Sequence, residues 1–313
     1  MELGLGLPTT VPGITGAALV EWARRAEDRG FGSLGVLDRL VHDNYDALFA
    51  LAAAAAVTSR IRLTTSLLLP GYRGSPAVLA KQLATLDHLS AGRLVLGIGA
   101  GGREDDFTAA GAPYAGRGPR LDALLGELRE HWSAGRFGPV LRPAGPAVLA
   151  GGHTPTAMRR AARLADGWIA GGSSAAAYAE LATRMTTIWS DSGRPGRPRL
   201  ASLAYVSMGP GGADRAADYL GRYYAFLGPR AAKVAAGAVT TPERLRALVA
   251  DFRAAGCDEL ILLPCGPDPD EVDRIADAVP QPTVPQHRPN PAPEPVATVG
   301  AAGRARVPTE EGT

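Results

Sequence analysis

The sequence is poor in cysteine, in net charge and in long apolar runs. Two cysteines among 313 residues exclude a disulfide framework and any cysteine-rich zinc or iron–sulfur module. A net charge of +2 argues against nucleic acid as a partner. The longest apolar run, residues 47–57, is too short for a transmembrane helix, and the first residues do not have the pattern expected of a signal peptide. These absences predict a cytoplasmic protein with no membrane partner.

What the sequence does contain is a regular alternation of short apolar runs with amphipathic segments. The runs that fit buried strands are residues 3–7, 33–37, 61–67, 93–98, 147–150, 167–170, 200–206 and 259–263. Between the first two runs, Leu19, Trp22 and Ala26 recur at helical spacing. Short apolar strands separated by helices indicate a parallel sheet, and this number of units predicts one closed (β/α)8 barrel over residues 1–279. An open doubly wound sheet is the alternative.

The C-terminal segment, residues 280–313, has a different composition. It holds prolines at 280, 282, 285, 289, 291, 293, 295 and 308 and almost no large apolar side chains. Such a segment cannot bury enough surface to offset its ordering entropy, which predicts a disordered tail. We expect its removal to leave thermal stability and cofactor binding unchanged.

Candidate site residues lie on the loops that follow the predicted strands, because barrel enzymes place their active sites there. These loops contain Asp38, Arg39 and His42, then residues 66–73, 99–107, 151–153 and 171–174. Gly151 and Gly152 form the best anion site. Thr154 can cap a helix that begins at Pro155, and a helix N-terminus suits a phosphate. An ordinary strand–helix turn is the alternative.

Several other patterns are weaker. Residues 97–102 match the dinucleotide fingerprint but precede a predicted loop, so a Rossmann domain is not expected. The carboxylates of Glu104, Asp105 and Asp106 are interpreted as a solvated loop face rather than as a glycosidase acid pair. The histidines show no metal-ligand spacing, and no metal is expected. His42 and His153 stay candidates because they lie on the predicted active loops.

A set of motifs together resembles the luciferase-like flavin-dependent oxidoreductases. They are residues 58–66, Pro70-x-x-Arg73-x-x-Pro76, Ala80-Lys81-Gln82, residues 86–94, residues 97–102, and Gly151-Gly152 followed by Arg160 and Asp166-Gly167-Trp168. The likeness covers residues 1–279. It implies a (β/α)8 barrel, a homodimer, and either reduced FMN or the deazaflavin coenzyme F420 at the strand C-termini.

The resemblance also implies roles for individual residues. Asp38 corresponds to an acidic residue beside the cofactor ring, and Ser66-Leu67 to a bulge where many members have a non-prolyl cis peptide. The glycines Gly101 and Gly102 match the stretch along the ribityl chain, and Gly151 and Gly152 match the phosphate site. His153, Gly171 and Gly172 complete the predicted cofactor contacts.

One position departs from the family pattern. Deazaflavin-dependent members usually have a histidine after the aspartate, where this chain has Arg39. An arginine stays protonated and cannot relay a proton, so His42 is the alternative acid or base. Asp38, Arg39 and His42 are therefore the predicted catalytic residues.

These observations favour a two-component monooxygenase that uses reduced FMN and oxygen. No nicotinamide site is visible, so a separate flavin reductase would supply the cofactor. F420-dependent hydride transfer is the alternative, followed by a non-catalytic flavin-binding protein and, last, a glycosidase. Apolar residues of the predicted mouth, such as Leu69, Tyr72 and Phe107, indicate a small, partly hydrophobic organic substrate.

Overall fold

The computed structural model describes residues 1–279, and these form one closed barrel of parallel strands. The strands are β1 Glu2–Gly6, β2 Ser33–Val36, β3 Arg62–Thr65, β4 Leu94–Ile98, β5 Ala147–Gly151, β6 Gly167–Ala170, β7 Arg199–Val206 and β8 Glu259–Pro264. Pairing of β1 with β8 closes the ring, so the predicted (β/α)8 barrel is confirmed and the open sheet is wrong. The predicted tail lies outside the described residues.

Helices connect the strands and cover the outside of the barrel. In chain order they are α1 Gly16–Asp28, α2 Ala47–Val57, α3 Pro76–Leu89, α4 Glu104–Ala109, α5 Arg117–Ser133, α6 Pro155–Leu164, α7 Ala175–Asp191, α8 Gly212–Tyr223, α9 Arg230–Ala236, α10 Pro242–Ala254 and α11 Asp270–Ala278. Side-chain caps fix several starts, including Asp46 at α2 and Thr154 at α6. Short 3-10 helices cover Pro70–Tyr72 and Ala225–Leu227.

Two apolar layers hold the barrel together. One fills its interior with strand side chains such as Val95, Leu149, Ile169 and Ile261. The other lies between the strands and the helices and is much larger, with Trp22 among its fully buried members. Strand side chains alternate between these layers, as a packed barrel core requires.

The bottom of the barrel, where the strands begin, is closed by an ionic network. Glu259 is fully buried there and contacts Arg199 at 2.9 Å and Arg62 at 3.2 Å, while Ser33 donates to it. Burial alone would raise the pKa of Glu259, but the two guanidinium groups and the hydroxyl hold it below 4.5. Glu2 joins both arginines at the rim. The network is distant from the opposite end, where active sites lie.

Candidate active site

A cavity of about 530 Å³ opens at the carboxyl end of the strands. Its lining includes Leu67, Gly101, Gly102, Gly151 and Gly152, all predicted as cofactor contacts. The volume falls in the range of roughly 300–1,000 Å³ that is usual for small-molecule sites. The structure therefore brings half of the predicted cofactor residues to one place.

The N-terminus of α6 forms one wall of this cavity. Thr154 caps the helix by accepting from the Ala157 N–H at 3.2 Å, as predicted, and Pro155 follows it. The N–H of Thr156 has no partner among residues 1–279, and Thr156 lines the cavity. Gly152 has φ +127°, where a side chain is strained. This wall offers free donors and partial positive charge.

A second helix N-terminus, that of α5, faces the same cavity. Its cap, Gly116, has φ +70°, and Arg117 follows as the first helical residue. The Arg117 Nε donates to the Gly101 carbonyl at 2.8 Å, and its guanidinium lies 3.8 Å from the centre of the Tyr114 ring. Sequence reasoning missed Arg117. The signal was the run Gly-Arg-Gly-Pro that ends at Pro119, just before a helical pattern.

Arg160 adds a second cation to the cavity lining. It lies on α6 and is almost fully buried, and its Nε donates to Asp122 on α5. The same carboxylate binds Arg163 at 3.0 Å. Asp122 thus joins α5 to α6 and fixes the relation between the two helix ends. The cavity has two helix N-termini and two arginines in its walls, which is a strong anion site.

Leu67 occupies the floor between the strands. The Ser66–Leu67 peptide bond is cis, as the family resemblance implied. A Cβ at Gly151 would lie 2.2 Å from the Leu67 Cδ1, and a Cβ at Gly99 would lie 2.9 Å from it. A Cβ at Gly97 would lie 1.9 Å from the Thr65 carbonyl oxygen. Glycine is therefore required at these positions because the leucine and the preceding strand occupy the space.

Asp38 is buried and fully engaged by its neighbours. Arg73 binds both of its carboxylate oxygens, at 2.6 and 3.2 Å, and the Leu69 N–H donates at 2.8 Å. Asp46 contacts the same guanidinium at 3.0 Å. Asp38 does not line the cavity. Its direct role is to hold the Leu69–Arg73 segment beside the barrel mouth.

Arg39 forms a buried ion pair that corrects one prediction. Its Nε donates to Asp106 at 2.7 Å, and the N–H groups of Leu40 and Val41 donate to the other oxygen of that carboxylate. Asp106 is fully buried on α4, so the prediction of a solvated loop over residues 104–106 is wrong there. Asp106 lies in the first turn of α4, where the helix dipole favours acidic residues, and the buried Arg39 guanidinium is its counter-ion.

His42 lies against an aromatic ring at the mouth. Its ring meets Tyr223 edge-on with 5.1 Å between centroids, and its Nε2 lies 3.3 Å from the Thr10 carbonyl oxygen. Burial lowers the pKa of His42, which favours the neutral form of the ring. Like Asp38 and Arg39, it does not line the cavity.

The remaining predicted contacts lie outside the cavity lining. His153 packs near Trp168, with ring centroids 6.3 Å apart, and burial lowers its pKa. Gly171 and Gly172 are exposed, and a Cβ on either would meet open space. Within residues 1–279 no cluster of side chains could hold a metal ion, and no helix is long and apolar enough to cross a membrane.

The cavity fits a phosphorylated cofactor on steric and electrostatic grounds. A Cβ at Gly152 would lie 2.6 Å from the Ala157 side chain, and Gly102 opens to free space on the opposite wall. The glycines thus leave a cradle in which free N–H groups and the cations of Arg117 and Arg160 surround one volume. The nearby Phe107 is buried and limits the site on the other side of Gly101.

Comparison with known proteins agrees with this geometry. The sequence profile of the family described as luciferase-like monooxygenase matches residues 1–279. An uncharacterized protein of Mycobacterium tuberculosis is 33% identical over 240 residues, which cover 65% of this chain and 83% of that protein. An F420-dependent glucose-6-phosphate dehydrogenase of Kribbella flavida is 34% identical over 194 residues, 54% of this chain and 58% of the dehydrogenase. The structure of an F420-dependent secondary alcohol dehydrogenase superposes with a TM-score of 0.72 at 19% identity, covering 89% of this chain and 98% of that one.

Proposed function

The chain belongs to the luciferase-like monooxygenase family, and from this premise we propose that it is an F420-dependent hydride-transfer oxidoreductase. The observation that carries the proposal is the anion cradle between the N-termini of α5 and α6. The Kribbella flavida relative, which shares 34% identity, is named as F420-dependent and supports this choice of cofactor.

In this proposal the cradle would bind the cofactor's phosphate through four groups. The free N–H of Thr156 and the backbone at Gly152 would bind it, with Arg117 and Arg160 compensating its charge. When bound in its reduced form, F420 would supply the hydride that reduces the substrate. Leu67 and the backbone at Gly101 would carry the rest of the cofactor toward the mouth, where Asp38 fixes the adjoining loop through Arg73.

His42 is the group best suited to exchange a proton with the substrate. With Nε2 protonated and donating to the Thr10 carbonyl, Nδ1 remains as an acceptor. Burial lowers its pKa and so favours the neutral form, which a general base needs. Arg39 cannot take this role because its guanidinium is committed to Asp105 and Asp106.

A two-component monooxygenase that uses reduced FMN is the second candidate. The arginine at position 39, in place of the histidine expected of deazaflavin enzymes, favours it, as does the family's own description. The sequence predicted a loop after residues 97–102, but the structure has the helix α4 there, beginning at Glu104. Because that helix has only 6 residues and belongs to a barrel, residues 97–102 do not form the dinucleotide fingerprint of a Rossmann domain. A separate flavin reductase would then supply the reduced cofactor.

A comparative titration tests the choice of cofactor. We expect F420 to bind with at least tenfold higher affinity than FMN or FAD, read by the change in cofactor fluorescence. Oxygen consumption after mixing with each reduced cofactor provides a second readout. Tight FMN binding, weak F420 binding and rapid oxygen uptake would establish the second candidate instead. Binding of none of the three would refute both.

The organic substrate and the subunit partner belong to the same proposal. We propose a small, partly hydrophobic substrate at the mouth and a homodimer in solution. Light scattering coupled to gel filtration measures the second point, and a monomer at micromolar concentration would contradict it.

A further inference from the structure

Arg103 is a cation without a carboxylate partner at the mouth of the barrel. It follows Gly101 and Gly102, which line the cavity, and immediately precedes α4, but it is not itself one of the lining residues. The acidic residues next to it do not neutralise it, because Asp105 and Asp106 pair with Arg39. No ion pair within the described residues includes Arg103, although it is only partly exposed.

Aromatic rings hold the Arg103 guanidinium in place. Its Cζ lies 4.1 Å from the ring centre of Phe226, 4.5 Å from that of Tyr223 and 5.4 Å from that of Tyr224. The Nη1 donates to the Tyr223 carbonyl oxygen at 2.7 Å. Burial lowers the pKa of Arg103, and the neighbouring Arg39 cation acts in the same direction. The group remains charged at pH 7 and lacks a counter-ion.

The opposite edge of this guanidinium is available for a ligand. The Nε and Nη2 atoms donate no hydrogen bond to residues 1–279, and neither atom is sealed from solvent. This is the edge through which arginine binds a carboxylate or phosphate with two parallel hydrogen bonds. Because the rings and the Tyr223 carbonyl already fix the group, binding costs little side-chain entropy.

Exposed apolar side chains accompany this edge. Phe226, which contacts the guanidinium, exposes 53% of its surface. Leu40 and Val41 expose 47% and 46%, and both are tied to Asp106, three residues after Arg103. Large apolar groups around an unpaired cation suit an amphipathic anion.

We propose that Arg103 binds the anionic oxygen group, a carboxylate or phosphate, of an otherwise apolar substrate. The assignment of that anion to the substrate rests on the proposed function, in which the cofactor would occupy the neighbouring cradle. It deepens that function by naming the class of substrate as an organic acid or phosphate ester rather than a neutral compound.

The test compares a charged probe with its neutral isostere. Ligand-observed NMR would measure binding of benzoate and of benzamide to the full chain without cofactor. We expect wild type to prefer benzoate by about tenfold or more, the value of a charge-assisted bidentate contact. Arg103→Gln should remove this preference without weakening benzamide, and Arg103→Lys should keep part of it. Arg222→Gln is the matched control, because Arg222 is exposed on α8 and paired with Asp218.

The outcomes separate the two sources of an anion. Equal benzoate affinity in wild type and Arg103→Gln would overturn the proposal, provided that circular dichroism shows both proteins folded. If Arg103→Gln weakens FMN or F420 but not the phosphate-free chromophores, the anion belongs to the cofactor, and the substrate assignment is wrong. Failure of every cofactor to bind wild type would refute the proposed function. The benzoate comparison would still show whether Arg103 binds an anion.

Discussion

Gly152→Ala is the perturbation that tests the phosphate cradle most directly. The residue has φ +127°, and an added Cβ would lie 2.6 Å from the Cβ of Ala157. Non-bonded carbons pack at about 3.5–4.0 Å, so the first turn of α6 must move by about 1 Å. That turn supplies the free Thr156 N–H of the cradle. A displacement of this size breaks a hydrogen bond without unfolding the barrel.

The expected loss follows from the kind of hydrogen bond. A bond to a charged group is worth about 1.5–3 kcal/mol, which corresponds to roughly 10–150-fold in the dissociation constant. The phosphate-free chromophore of the same cofactor does not use this bond, so its affinity should change by less than about twofold. Backbone strain at this φ should also lower the free energy of unfolding by about 1–3 kcal/mol.

Fluorescence titration with the cofactor and its phosphate-free chromophore gives both affinities. Adding Ala157→Gly to Gly152→Ala removes the colliding methyl group and should recover part of the lost affinity. Gly171→Ala is the matched control, because a Cβ there meets open space outside the cavity. Equal losses of affinity for the cofactor and for its phosphate-free chromophore would refute the phosphate assignment. Unchanged cofactor binding in Gly152→Ala would refute it as well.

Four further predictions concern stability and reactivity. Asp106→Ala leaves Arg39 with only the half-exposed Asp105 as its counter-ion and should lower the free energy of unfolding by up to about 3–5 kcal/mol in urea titrations. Glu259 has a native pKa below 4.5, so its contribution exists above that pH and is lost as acid protonates it. Stability of Glu259→Gln should therefore depend less on pH than that of wild type in acid. Glu271 shows the opposite sign: burial raises its native pKa to about 7, so wild type should lose stability as pH rises from 4.5 toward 7, and Glu271→Gln should not. Burial raises the pKa of Cys257 to about 11 and also raises that of Cys265, so Ellman's reagent should label the native protein far more slowly than the unfolded chain.

The barrel could be predicted because its signals are local. Each strand is a short apolar run, and each helix carries its own spacing or cap, as Thr154 does before α6. The anion site at Gly151 and Gly152, which stays a prediction, was inferred from the same kind of local signal. No observed strand end differs from the predicted one by more than two residues; β1, for example, covers Glu2–Gly6 where residues 3–7 were predicted.

The interior partners could not be predicted because they are distant in sequence. Asp106 was interpreted as solvated since its neighbours are acidic, and nothing local indicates that Arg39 lies against it. Asp38 was expected beside a cofactor ring, whereas Arg73 and the Leu69 N–H occupy its oxygens. Arg117 reaches the cavity only because the N-terminus of α5 lies beside that of α6, a relation set by the closed sheet.

The Arg39–Asp106 pair also constrains how this chain could change over evolutionary time. Replacing Arg39 with the histidine that the family resemblance implies for deazaflavin-dependent members would remove the cation that pairs with Asp106, whose carboxylate is fully buried and accepts from two backbone N–H groups. Removing one partner of a buried ion pair lowers the free energy of unfolding by about 3–5 kcal/mol, which is a large fraction of a typical domain's stability. A route that first converts Asp106 to asparagine leaves Arg39 with only the half-exposed Asp105 as its counter-ion. The two sites are therefore coupled, and exchange between the arginine and histidine forms of this loop is favoured when both substitutions are fixed together.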